Sequence, residues 1–370
     1  MRVTEPLLHL ISPGDWRGSL AEGAVVPPSL YEVGFVHLST AAQVALPADR
    51  LFHGRQDLAL LVLDPDRIDV PVAWEPGVPG DPESMRFPHA YGRLPISAVL
   101  GVLPYRPRPD GGFDAPTLPV LDTAGRCTLA VSSLLRRVAT SEMPVTGGVA
   151  VLTEPVPLSH QHNQLVVDGE VDAATLVADA DRVLGAAGLS HRKALLTGEH
   201  LAPTAAGLEA LGWEIEELAV MAARPGGPLN PFVGQTGIED MRPFWSEGWC
   251  RAIPGVDGDT IQQLNDRYQL EDEEAVDTRL LSVRNDLGDV IAGCVLKIDG
   301  ATAMIDAVET LPDHQGRGHG NALVAQALAL AGRAGCDLVT LDADAADWPR
   351  DWYARHGFTQ VARSWSAQRR

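Results

Sequence analysis

Lysine is almost absent from this chain: Lys193 and Lys297 are the only two in 370 residues, so nearly every positive charge is an arginine. Lys and Arg together number 29 against 49 Asp and Glu, a formal charge of −20. Phosphate binding needs clustered cations, and no such cluster exists, so nucleic acid is excluded as a partner and a cationic ligand is favoured. Long apolar runs are missing too. No segment reaches the roughly 20 residues a membrane helix requires. Met1 to Trp16 carries one arginine and a Leu-rich patch broken by Pro13 and Gly14, which is not a secretory signal, so a cytoplasmic home is expected. Cysteine is scarce. Cys127, Cys250, Cys294 and Cys336 stand far apart with no C-x-x-C pair and no Cys/His ligand spacing, so they read as buried free thiols rather than metal ligands or disulfides.

What is present divides into three blocks, as a chain of this length should. Residues 1–108 alternate short apolar runs (Leu58–Leu63, Ile96–Val102) with Pro and Gly, and end in a Pro/Gly-rich stretch from Pro104 to Gly112 that propagates neither helix nor ladder. A second break falls at Arg224-Pro225-Gly226-Gly227-Pro228. Residues 113–225, between the breaks, read as alternating strands and helices: Gly148–Leu152, Gln164–Val167, a helix near Asp172–Ala187, Lys193–Thr197, a helix near Thr204–Leu211, and Ile215–Met221.

Residues 236–370 are the most legible. Arg279–Arg284, Val290–Ile298 and Ala301–Leu311 read as three antiparallel strands joined by tight turns at Asn285-Asp286-Leu287-Gly288 and Asp299-Gly300. Gln315-Gly316-Arg317-Gly318-His319-Gly320 follows, opening an apolar helix that stops at Gly335. Asp337–Leu341 is a fifth-strand candidate, Asp347–His356 a short helix and Thr359–Trp365 a last strand. A strand leading through a glycine-rich loop into a helix is an anion site: the glycines turn backbone N–H groups toward one point, and the helix N-terminus adds partial positive charge. Two other nucleotide loops fail. Walker A needs Gly-Lys-Ser/Thr, and the dinucleotide fingerprint needs glycine where the chain has Asn321 and a parallel βαβ unit where it has a meander.

At these residues the block resembles the GNAT family of N-acetyltransferases. The family's pyrophosphate loop, Q/R-x-x-G-x-G/A, is matched by Gln315, Gly318 and Gly320. Its second signature, a tyrosine four residues ahead of Gly-Phe on a short helix, is matched by Tyr353 and Gly357-Phe358 at the family's usual interval. The resemblance implies that acetyl-CoA is the cosubstrate and an amine the acceptor, and that the amine attacks the thioester directly without an acyl-enzyme. It implies that the backbone of Val308, Glu309 and Thr310 pairs with the pantetheine arm, that Gln315, Gly316, Arg317, Gly318, His319 and Gly320 hold the pyrophosphate, and that Tyr353 protonates the leaving thiolate. Glu309 is the favoured base by the same analogy; Asp306, Asp342 and Asp344 are the other available carboxylates. The family often places an asparagine after the fifth strand, and here Asp342-Ala343-Asp344-Ala345-Ala346-Asp347 departs from it. Glu271-Asp272-Glu273-Glu274 reads as a charged helix surface, or as the lip of an acceptor entrance. Trp245, Trp249 and Trp352 read as core first.

The middle block repeats the acetyltransferase order more weakly, ending in Leu211-Gly212-Trp213. At the place of the pyrophosphate loop it has Val167-Asp168-Gly169-Glu170-Val171-Asp172, whose carboxylates would repel a diphosphate. It resembles a degenerate GNAT lobe. The first block carries Gly34-Phe35-Val36-His37-Leu38-Ser39 and Phe87-Pro88-His89-Ala90-Tyr91-Gly92, which look like domain-of-unknown-function family 952. That family has been grouped by fold with ADP-ribosyltransferases, which makes His9, His37, Ser39 and His89 a further candidate site. The expected fold is thus α+β / α/β: an N-terminal mixed α+β domain followed by tandem GNAT-like lobes with a mixed, mostly antiparallel sheet. The expected function is acetyl transfer to a small, cationic amine. The rivals are an acyl-CoA-sensing binding protein and an ADP-ribosyl-type activity in the first block. Oligomeric state is not readable.

Overall fold

The computed structural model describes residues 5–77 and 85–369; the first four residues and residues 78–84 of the N-terminal block lie outside it. The N-terminal block is built on two three-stranded sheets. Leu7–Ile11 pairs antiparallel with Ala59–Leu63, which pairs with Val99–Pro104, while Arg86–Ala90 sits between Val36–His37 and Val72–Pro76. A single bridge, Leu8 to Ser39, ties the two sheets together. The helix Pro13–Glu22 starts where Ser12 accepts a hydrogen bond from the Asp15 amide and proline occupies the first turn, and it stops at Gly23 in the left-handed region. Its buried Trp16 donates the indole N–H to Asp299 at 2.9 Å, fastening this block to the rest of the chain.

The rest of the chain shares one eleven-stranded sheet. Its order is Gly234–Gln235, Asp277–Arg284, Val290–Asp299, Thr302–Thr310, Leu338–Asp344, Glu214–Ala223, Thr359–Arg369, Arg192–Thr197, Gln164–Val167, Gly148–Leu152, Ser141–Val145. The two lobes exchange strands at its centre. Glu214–Ala223 of the middle block lies between Leu338–Asp344 and Thr359–Arg369 of the C-terminal block, and Thr359–Arg369 in turn lies between Glu214–Ala223 and Arg192–Thr197. Neither lobe closes its sheet alone. The fold is therefore mixed α+β, with a mostly antiparallel sheet and two short parallel contacts, Leu165–Val167 with Ala194–Leu196 and Thr302–Met304 with Leu338–Thr340.

Strand alternation gives the C-terminal half of the sheet two apolar faces. Leu323, Val324, Ala327 and Ala331 of the helix His319–Arg333 join the core of Leu281, Cys294 and Leu296. Met241, Phe244 and Trp245 of Ile238–Ala252, with Tyr268 of Gly258–Glu274, cover Leu280, Val290 and Val295. A further helix, Thr123–Val138, is capped by Asp122 and crosses between lobes; its Arg126 donates to Asp337 at 2.6 Å and to Thr302. No helix among the described residues is long and apolar enough to cross a membrane.

Candidate active site

The site begins where two strands part. Thr302, Ala303 and Met304 pair in parallel with Leu338, Val339 and Thr340, and the pairing then ends although both strands continue, to Thr310 and Asp344. Beyond Met304 the first strand keeps its antiparallel partner, Val290–Asp299, but pairs with no strand among the described residues on the other edge. Backbone groups on that edge, those of Val308 among them, have no strand partner among the described residues, so an extended ligand could pair there as an added strand; the Thr310 carbonyl already accepts from the Gln315 side chain. A bulge lies at the mouth. Val295 pairs with Asp306 and Gly293 with Glu309, so Cys294 opposes both Ala307 and Val308, and Ala307 takes φ 50, a left-handed value rare for a residue with a Cβ. The Asp306 carboxylate accepts the Ala307 N–H at 2.8 Å and holds the bulge.

The glycine loop follows. Gly316 (φ 73) and Gly318 (φ 84) are left-handed, which a Cβ would strain. The helix His319–Arg333 has no side-chain cap, and its first-turn amide from Ala322 already bonds back to Gly318. From Gly316 through Asn321, consecutive backbone N–H groups find no acceptor among the described residues. Buried or not, such a row is an acceptor-hungry cradle. Gln315 folds back to donate to the Thr310 carbonyl at 3.2 Å, and Arg317 to the Asp313 carbonyl at 2.9 Å. Gly320 meets the Trp352 ring, which a Cβ would approach to 3.2 Å. The corresponding helix start in the middle block is already filled: Asp172 accepts the Thr175 N–H at 3.0 Å and its hydroxyl at 2.6 Å. An internal carboxylate occupies the place an incoming anion would take.

Tyr353 stands on the short helix Pro349–Arg355, buried and edge-on to Phe358 at 5.7 Å. Burial, helped by Cys294 and Asp306 nearby, raises its hydroxyl above the ordinary tyrosine value, so it keeps its proton at neutral pH. The helix is tied to the glycine loop through Asn321, whose Oδ1 accepts from Trp352 at 2.9 Å and meets His356 Nε2 at 3.1 Å.

The carboxylates near the opening differ sharply. Glu309 is half-exposed and its carboxylate lies against the Arg251 guanidinium. Asp306 meets Lys297 at 2.9 Å; burial alone would raise it, but Lys297 and Arg267 hold it far below the usual carboxylate range. Lys297 also meets Glu271 at 2.7 Å, and Glu271 meets His162 of the middle block at 3.3 Å. Asp342 is solvent-exposed, although protein atoms crowd its surroundings. Desolvation, then the charges of Asp306 and Glu216, push it up to about 7.

In the N-terminal block, His9, His37 and Ser39 line a cavity of about 630 Å³, together with Ser12, Asp15 and Arg50. His9 shares a 2.9 Å hydrogen bond between Nδ1 and the His37 carbonyl, and burial lowers its pKa. His89 is not among the cavity's lining residues; it stacks on Phe35 at 4.0 Å with His37 edge-on at 5.2 Å.

Several residues escape a reading of the sequence. Glu271, expected on a charged helix surface, is buried, because the helix Gly258–Glu274 turns it toward Lys297. Cys250, expected to be buried, is exposed on Ile238–Ala252, while Cys127, Cys294 and Cys336 are buried free thiols. Trp245 is core as expected, and Trp249 donates to Asn265 at 3.2 Å. The Arg251, Asn321 and Lys297 contacts carry no local signal, since their partners lie 58, 31 and 9 residues away.

A meander opening into splayed strands, a glycine loop of free amides and a buried tyrosine before Gly-Phe thus lie together in the C-terminal block. Residues 277–360 match the family model described as acetyltransferase (GNAT) domain, and residues 10–102 match the protein of unknown function (DUF952) model. A functionally unknown conserved protein from Staphylococcus epidermidis ATCC 12228 shares the fold at 16% identity and TM-score 0.50, over 61% of this chain and 92% of its own. A GCN5-related N-acetyltransferase from Kribbella flavida is 19% identical over 66% of this chain and 95% of its own, TM-score 0.45. A tandem GNAT protein from the clavulanic acid biosynthesis pathway is 13% identical over 67% and 89%, TM-score 0.44. No curated protein matches the chain.

Proposed function

We propose that the C-terminal block transfers the acetyl group of acetyl-CoA to the amine of a small cationic acceptor. The single observation that carries this reading is the row of unpartnered amides from Gly316 to Asn321, a ready cradle for a diphosphate. In this reading Val308 and Thr310 pair their backbone with the pantetheine arm, and the backbone of Gln315 to Gly320 holds the pyrophosphate, with Arg317 and His319 at its rim. Tyr353, kept protonated by burial, gives its proton to the departing sulfur. The acceptor's positive charge suits an opening flanked by Asp306, Asp342 and Glu216. Glu309, already neutralising Arg251, braces the helix Ile238–Ala252 against the bulged strand.

The test is acetyl-CoA binding by thermal shift, followed by free-thiol release over a panel of mono- and polyamines. Saturable binding with turnover of at least one amine is expected. Binding with no turnover on any amine favours an acyl-CoA sensor, and no binding at millimolar concentration removes the reading.

The N-terminal cavity supports a second, separate reading as a small-molecule site, because it gathers His9, His37 and Ser39 around a partly open, mostly apolar space. Nicotinamide release from the dinucleotide by the full chain tests ADP-ribosyl chemistry there; His9→Phe should abolish it.

A further inference from the structure

We propose that Asp342 is the group that takes the acceptor's proton, and that Asp306, facing it across the opening, is the fixed anion that holds the acceptor's ammonium beforehand. The inference rests on the acetyltransferase reading and names two residues of that site.

Register carries the argument. Met304 and Thr340 are the last paired positions of the two parallel strands, so Asp306 and Asp342 occupy equivalent places two residues further on. Alternation puts them on the same face, the face of Met304 and Thr340. The strands diverge there, and the two carboxylates flank the gap in which a thioester extended along Thr302–Thr310 would end.

Their surroundings then separate their roles. Asp306 is locked: Lys297 grips it at 2.9 Å, Arg267 adds charge, and the Ala307 amide takes its second oxygen. Lys297 is itself held by Glu271, which His162 meets from the middle lobe, so this lobe helps to fix the anion. A carboxylate so held stays charged and is a poor base. Among the described residues Asp342 forms no ion pair with a cation. The groups facing it are Asp306 on the neighbouring strand, Glu216 on Glu214–Ala223 and the buried Cys127 thiol on Thr123–Val138. Two carboxyls with environments that drive their proton affinities apart are the arrangement from which a base with affinity near neutrality arises. Glu309 is instead ion-paired with Arg251.

The step balances as follows. The acceptor ammonium gives one proton to the Asp342 carboxylate, and the freed nitrogen lone pair forms the C–N bond with the thioester carbonyl carbon. The C–S bond breaks, its electron pair leaves on sulfur, and sulfur takes the Tyr353 proton. The second nitrogen proton restores Tyr353, and the Asp342 proton passes to solvent. Amide, thiol and one released proton result.

The experiment uses the full chain, with the best acceptor from the amine panel. In wild type, kcat/KM should rise with pH through about 7, where Asp342 ionises. Asp342→Asn should lower kcat by about 10²-fold or more and remove that rise, with acetyl-CoA affinity within about twofold. Asp342→Glu should restore part of the rate with a displaced rise. Carboxyl ¹³C NMR supplies a readout without turnover: a resonance titrating near 7 should vanish in Asp342→Asn and move to lower pH in Asp306→Asn, which removes a like charge. Retention of the rise in Asp342→Asn, its loss in Glu309→Gln instead, or no carboxyl titrating near 7 overturns the proposal while leaving acetyl transfer intact. Failure of wild type to bind acetyl-CoA overturns both.

Discussion

Trp352 donates its indole N–H to Asn321 Oδ1 at 2.9 Å, joining the helix that bears Tyr353 to the first turn of the helix that follows the glycine loop. His356 meets the same oxygen at 3.1 Å, so one amide side chain sets the distance between the glycine loop and Tyr353. A seven-residue helix has little hold of its own, and this tie supplies the orientation.

Asn321→Ala should therefore separate binding from chemistry. The lost hydrogen bonds cost about 1 kcal/mol of stability. The cradle amides remain, so acetyl-CoA affinity should stay within about threefold, while kcat falls by about tenfold as Tyr353 loses its aim. Thermal shift and thiol release read the two effects independently.

Gly318→Ala should do the reverse. At φ 84 an alanine is strained by roughly 1–2 kcal/mol, and a loop that relaxes to relieve it scatters its N–H groups. Losing one charge-assisted hydrogen bond to phosphate weakens acetyl-CoA by about tenfold or more. Titration calorimetry measures it; unchanged affinity would argue that the pyrophosphate lies elsewhere.

Tyr353→Phe should keep the packing against Phe358 and lose the proton donor, lowering kcat by about 10²-fold with binding unaffected. The hydroxyl's pKa is raised above the ordinary 10.0, so the acid stays protonated throughout the neutral and mildly alkaline range. No alkaline fall in kcat assignable to this group is expected below pH 10.

Stability should decline in acid through the buried His162, Glu271 and Lys297 group. Burial lowers His162, so the unfolded chain binds its proton first as pH drops below 6.5, and folding loses free energy from there downward. Glu271 is opposed by burial but pulled down by Lys297 and His162. Its contribution is complete above the unfolded value of 4.5 and is lost as pH falls toward its lower folded value. Glu271→Gln leaves Lys297 with one anion fewer and should destabilise by roughly 3–5 kcal/mol at neutral pH. Urea unfolding from pH 4 to 8 measures both slopes; a flat profile in wild type would contradict the assignment.

The elements around the glycine loop were legible because their signals are local. Strand alternation, tight turns and the order Gln315, Gly318, Gly320 depend on neighbours within a few residues, and Thr302–Thr310, His319–Arg333 and Pro349–Arg355 lie close to where those signals put them. The helix Thr123–Val138 left no clear trace, since its run of Thr, Gly and Ser is weakly helical and its stability comes from packing and from Arg126 and Arg137. Glu271 looked like one more surface charge, because nothing in an acidic run says which side chain will face a lysine 26 residues further on.

By itself the amino-acid sequence determined the chain's charge and the glycine loop with its tyrosine, both properties of composition and short spacing. Tertiary structure alone decided that the lobes exchange central strands, that parallel pairing stops two residues short of Asp306 and Asp342, and that Glu309 is claimed by Arg251. The reason is physical: strand neighbours and ion-pair partners are chosen by the energy of the whole packed sheet, across separations over which a one-dimensional pattern carries no distance.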